Sequence, residues 1–222
     1  MNTSTVADAA SLIASELRSL KCVNAPALHA VRKRHSSVVR GWRGTDVVAL
    51  ANVVLDSNEP GRNVIAHGLI LHHERSIDSL RLKDVERLGR FIGSWSDVDV
   101  FACYVSGPAW RAGRISDSAV HRWARSENRW WRRTALVSTI PLNVKNQGGE
   151  GDAARTLAVC EFLVDDRDDM VVKALSWALR AAAACDPKSV EGFLDEQECR
   201  LTPRVLREVR NKIRTGLKNP RW

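Results

Sequence analysis

The sequence predicts an all-α fold, a curved solenoid of stacked helix pairs. Apolar residues recur at three- and four-residue steps over 44–55, 80–92, 95–105, 129–140 and 169–184. Sustained β-branched alternation is hard to find. Small residues also recur in register. Ala66, Ala102, Ala135 and Ala174 each lie nine residues after the start of a polar or glycine segment, at Ser57, Gly93, Ser126 and Asp165. The intervals are 36, 33 and 39 residues, and Ala30 extends the series backwards by another 36. Helical periods of this length are the signature of helix-pair repeats, in which the second helix of each pair lines the concave face. Breaks are expected near Pro60, Gly93, Gly107-Pro108, Gly113, the loop 146–152, Pro187 and Pro203.

The 222 residues fit one domain spanning 1–222, long enough to bury a core without staples. No apolar run approaches the ~20 residues of a membrane span. The N-terminal stretch has no basic region ahead of an apolar one, so no secretory signal is expected. Five scattered cysteines without a C-x-x-C spacing read as reduced thiols, which points to the cytoplasm. No His/Cys spacing suggests zinc, and no glycine-rich phosphate loop or G-x-S-x-G occurs. The net charge of +8 favours a polyanionic partner. Eight Trp stand against four Phe and one Tyr, and indoles suit stacking and cation contacts.

Taken along the chain, the segment from Ser94 to Asp99 is the first with candidate chemistry. Ser94 can cap a helix and Asp97 can complete a capping box, which gives Asp97 a structural role. Asp99 shares a face with Trp95 four residues earlier, while Val98, Phe101 and Val105 form the core stripe. Asp99 is then a functional carboxylate beside an indole, a surface aspartate with an incidental Trp, or the partner of an arginine on the next helix. In Arg129-Trp130-Trp131-Arg132-Arg133, Arg133 projects with Val137 and Ile140 and needs a carboxylate or phosphate partner. Arg129 and Arg132 can stay solvated, and a basic-aromatic cluster at a helix start suits phosphate. On 169–184, Val171, Leu175, Ala178 and Ala182 make the core face, and Lys173, Trp177 and Arg180 the opposite one. The basic stretch 200–222 reads first as a solvated helix. His72-His73-Glu74 matches no metal motif.

Four pieces in order, APALHAVRKR, SWSDVD at 94–99, WWRRTAL at 130–136 and KALSWALR at 173–180, resemble the DNA alkylation repair glycosylases of the AlkD type, built from HEAT-like repeats. The resemblance spans most of the chain. It implies Trp95 and Trp177 as active-site tryptophans, Asp99 as the catalytic aspartate and Arg133 as a DNA-contacting arginine. The family's N-terminal active-site tyrosine aligns with Ile13, and a family lysine with Pro141; Lys145 lies close to the latter.

The resemblance implies a monofunctional glycosylase that removes positively charged N3- and N7-alkylpurines from duplex DNA. It needs no metal or organic cofactor and no base flipping, and it acts as a monomer. Catalysis would rest on Asp99, Trp95 and Trp177, and DNA binding on Arg133, Lys173 and Arg180. If the protein is prokaryotic, the nucleoid is its expected place. The alternatives are a non-catalytic DNA-binding protein on the same scaffold, or a helical-repeat scaffold that binds peptides on its concave face.

Overall fold

A computed structural model describes residues 3–220. Among these residues every regular element is a helix and there is no strand. In order they are α1 (Thr3–Ser19), α2 (Ala25–Val38), α3 (Gly44–Asp56), α4 (Arg62–Leu71), α5 (Ser76–Ser79), α6 (Leu82–Leu88) and α7 (Trp95–Phe101). A π-helical segment (Ala102–Ser106) joins α7 directly to α8 (Gly107–Arg111). Then come α9 (Asp117–Ala124), α10 (Arg129–Val137), α11 (Ile140–Asn143), a 3₁₀ turn (Lys145–Gln147) and α12 (Ala153–Glu161). The chain closes with α13 (Asp169–Ala183), α14 (Pro187–Glu196) and α15 (Pro203–Thr215).

Helices begin where a short polar side chain can take up a free backbone N–H. Asn24, Ser94, Asn128, Asp152, Asp168, Asp186 and Thr202 each accept such a bond at the start of α2, α7, α10, α12, α13, α14 and α15. Pro187 and Pro203 occupy first turns, where a missing N–H is harmless.

The helices form two layers. In the second layer, made of the second helix of each pair, α2, α4, α7, α10, α13 and α15 touch in succession; in the first, α1 lies on α3, α3 on α6, α9 on α12 and α12 on α14. Side chains of Arg122 and Trp123 on α9 reach Glu86 on α6 and close the remaining step. One hydrophobic core runs between the layers from Ala10 to Val209. Ala66, Ala102, Ala135 and Ala174 lie in it, each on the second helix of a pair. The repeat is therefore a packing repeat: a small residue recurs at a buried position of successive pairs.

Two expectations need correction. Ala30 is exposed on α2, and the buried contact is made by Leu28 and Val31, so the register cannot be carried back by counting alone. Gly107-Pro108 does not break the chain; a continuous helix runs from Trp95 to Arg111. Proline normally clashes with the carbonyl four residues back. Here the turn before it is π-helical, with the Gly107 N–H bonded to the Ala102 carbonyl, and this widened turn admits the ring.

Gly107 is also where the helix meets α11. A Cβ there would lie 2.7 Å from the Ser138 carbonyl oxygen and from Pro141 Cγ. Gly107→Ala should lower unfolding free energy by about 1–3 kcal/mol, the usual penalty of overpacking. Gly192, in exposed α14, has nothing within 4 Å of its missing Cβ. Gly192→Ala should raise stability by about 0.5–1 kcal/mol. Urea midpoints of the two variants, with unchanged m-values, check both signs.

Candidate active site

The start of α7 is tied down by Asp97. Its carboxylate accepts from the Ser94 hydroxyl (2.7 Å), the Gly93 N–H (3.3 Å) and Asn63 Nδ2 on α4 (2.6 Å). In return the Asp97 N–H donates to Ser94 Oγ at 3.2 Å. Ser94 thus caps α7 as expected, but the capping box is not closed: Asp97 reaches back to the Gly93 N–H, one residue before the cap, and across to the preceding repeat, and together these bonds fix where α7 begins. On a different face, Trp95 is 57% exposed, unusual for the largest apolar side chain, and Asp99 follows one turn later.

Asp99 meets Arg133 across the gap between α7 and α10. Arg133 donates to Asp99 Oδ1 twice, through Nη2 at 2.7 Å and Nε at 3.2 Å. Its Nη1 donates to the Met170 carbonyl, in the first turn of α13, at 2.6 Å. The Arg133 side chain is 6% exposed and that of Asp99 24%. One guanidinium thus joins three consecutive second-layer helices. Asp99 Oδ2 accepts no hydrogen bond from any described residue. The sequence left Arg133 a carboxylate or a phosphate as partner. The structure supplies the carboxylate, and all three nitrogens of the guanidinium bond within the protein.

Burial raises the Asp99 pKa above the usual carboxylate value, and the Arg133 charge opposes that rise. Cys103, one turn further along, is pushed up to about 12 by burial and by the Asp99 charge, so its thiol is inert.

Lys173, Trp177 and Arg180 share the face of α13 opposite its buried stripe, with Val171, Leu175, Ala178 and Ala182 in the core. Lys173, one turn after Met170, pairs with Asp169 at 2.6 Å, an exposed contact of little energetic weight. Trp177 is half-buried, and two turns separate it from Met170, about 10 Å along the helix. With Arg180 it lines a cleft of about 470 Å³ that also takes in Lys145, Cys185, Lys212 and Lys218. Arg180 Nε donates to Ser176 Oγ at 3.3 Å; its terminal nitrogens bond to no described residue. Burial lowers the Arg180 pKa, with Glu208 acting in the opposite sense. Lys212 and Lys145 come from other elements, and no spacing in the sequence brings them to Trp177.

The remaining candidates have structural partners. Arg132 pairs with Asp166 at 2.7 Å and Arg129 with Asp168 at 3.3 Å, so the basic cluster at the start of α10 is not simply solvated. Trp131 packs edge-on against Phe101, and Arg129 covers Trp130. Ile13, aligned with the family tyrosine, is fully buried on α1, and Pro141 is buried in α11. On α15 and just before it, Arg200, Arg204 and Arg210 each bond two acids.

A family model for DNA alkylation repair enzymes matches residues 9–213. Among solved structures, a predicted DNA alkylation repair enzyme from Enterococcus faecalis aligns with a TM-score of 0.69 over 96% of each chain, at 17% identity. At that identity the likeness speaks for the fold alone. No curated protein matches the chain. Since the family match runs from α1 to α15 and takes in Trp95, Asp99, Arg133 and Trp177, the chain belongs to the DNA alkylation repair enzyme family.

Proposed function

We propose that the protein is a monofunctional DNA glycosylase that hydrolyses the N-glycosidic bond of cationic N3- and N7-alkylpurines in duplex DNA. The observation that carries the reading is Asp99: a half-buried carboxylate beside an exposed indole, with one oxygen clamped by Arg133 and the other without a partner among the described residues. As the C1′–N bond breaks, its electron pair moves onto the purine and neutralises the alkylated ring. The sugar is left as an oxocarbenium-like cation. Water then forms the C1′–O bond and gives up a proton. Asp99 stabilises the sugar cation and orients the water, and Trp95 and Trp177 present π faces to sugar and lesion. Arg133 acts through Asp99 as a positioning residue. Lys173 and Arg180 take backbone phosphates, so the duplex is engaged through its backbone, without a flipped base.

A carboxylate about 4 Å from the developing cation, at an effective dielectric near 20, contributes about 4 kcal/mol, roughly a thousandfold in rate. Non-catalytic duplex binding is the second reading, favoured by the engagement of Asp99 with Arg133. Release of 7-methylguanine and 3-methyladenine from methylated duplex, measured against heat-depurination controls, separates the two.

Asp99→Asn also leaves the buried Arg133 without its carboxylate and lowers stability, so it is assayed at a temperature where circular dichroism shows the variant folded; there it should still cut single-turnover excision by about a hundred- to a thousandfold. Asp97→Asn should instead cost about 1–2 kcal/mol of stability and leave excision nearly intact, because its bonds only cap α7 and tie it to α4. Equal effects on excision would show that Asp99 is not catalytic.

Excision needs Asp99 ionised, so the rate should fall as pH drops through a pKa above that of an ordinary aspartate. Arg133 favours the ionised form. Arg133→Ala therefore raises the Asp99 pKa further, and the acid limb of the single-turnover rate moves to higher pH. An acid limb at the same pH in wild type and variant would mean that another group sets it.

A further inference from the structure

The positive charge of the chain is unevenly compensated. The arginines at 200, 204 and 210 are all bonded back to acids. At the other end of the second layer, Arg32, Lys33 and Arg40 enter no ion pair and no side-chain hydrogen bond among the described residues. All three line one cleft of about 430 Å³, where α2 and α4 end side by side. Arg32, Ser36 and Arg40 follow at four-residue steps along α2 and the turn after it. Glu74 is the single carboxylate lining the cleft, against three permanent cations. Between Arg32 and Arg40 in that row, the Ser36 hydroxyl is buried and has no hydrogen-bond partner among the described residues. A buried polar atom without a partner is costly and calls for an explanation. Here it adds a donor to the cations around it.

We infer that the α2–α4 cleft is a second phosphate site, which holds the backbone of the same duplex at a distance from the lesion. The inference rests on the glycosylase reading for its ligand, but on different residues. Both sites belong to one row of touching helices, α2, α4, α7, α10. Two steps of about 8–10 Å across the row lie between the α2–α4 cleft and the α7–α10 gap, and the cleft sits at the end of its helices whereas Asp99 sits near the start of the rod from Trp95 to Arg111, so at 3.4 Å per pair the two are at least about five to six base pairs apart. Arg32, Lys33 and Arg40 supply the charge, and Ser36 a hydroxyl to a phosphate oxygen.

The test uses the full chain and two duplexes with a central, uncleavable abasic-site analogue: one with about ten base pairs on each side, and one with about three on each side whose ends are closed by uncharged linkers so that it stays paired. Lys33 and Arg40 are exposed, so Lys33→Ala/Arg40→Ala should fold normally. It should bind the long duplex about tenfold or more weakly, lower the slope of log affinity against log salt by about 1.8, and leave short-duplex binding unchanged. Ser36→Ala should weaken long-duplex binding a few-fold without lowering the melting temperature. Wild-type affinity of the double variant for the long duplex, or equal losses on both duplexes, would overturn the site. A lower melting temperature with unchanged binding would also overturn it, and would show that the cations only offset the helix C-termini. Absence of duplex binding by the wild type would remove the glycosylase reading as well; loss of this site alone would not.

Discussion

Arg133 lies where α7, α10 and α13 come together, and its charge has to be matched there because almost none of it reaches water. Asp99 and the Met170 carbonyl match it. Leaving a buried guanidinium without its carboxylate is strongly destabilising, so the relative placement of three helices is bound to one ion pair. The candidate chemistry inherits its precision from this. The carboxylate oxygen that would face a reacting sugar is set by a partner one repeat away. Function and register are thus coupled: a change that slides α10 against α7 also moves the site.

Bonds of the same kind recur along the stack at nearly constant sequence separation. Asn63 reaches Asp97, Asp99 reaches Arg133, Arg132 reaches Asp166, and Ser176 reaches Glu208, at 34, 34, 34 and 32 residues. Each repeat is polar-bonded to the next as well as apolar-packed. In such an array stability comes from neighbour contacts, and no single long-range contact holds the whole.

Much of this was legible in the sequence, and the illegible part has a common cause. The buried stripe of α13, the cap of α7 and the inward direction of Arg133 all follow from local helical phase, which depends only on neighbours in the chain. The partner of Arg133 does not, since Asp99 lies a full repeat away and two outcomes fitted equally well. The same holds for Arg129 and Arg132, whose acids sit just ahead of the next helix, and for Lys145 and Lys212, brought to Trp177 by three separate elements. Ala30 failed because a repeat of 33 to 39 residues has no fixed phase, and one residue is enough to turn a side chain from core to solvent. Gly107-Pro108 failed because the rule that proline breaks a helix assumes an α-helical turn before it.

That turn has a further effect. Asp99 meets Arg133 34 residues on, whereas Ser106 meets Ser138 only 32 residues on. Between the two contacts, α7 and its π segment use seven residues while the facing stretch uses five. The π segment absorbs part of this excess as a phase shift within one continuous rod. Residues before it face the polar gap with Asp99, and residues after it present Gly107 to α11 for close approach. An α-helix of the same length would rotate one group away by about 100° per residue gained or lost. The helix therefore serves two neighbours whose spacings differ, and residues 102–106 are where their mismatch is reconciled. A single-residue deletion there would keep the rod helical but bring its two halves into the wrong relative orientation.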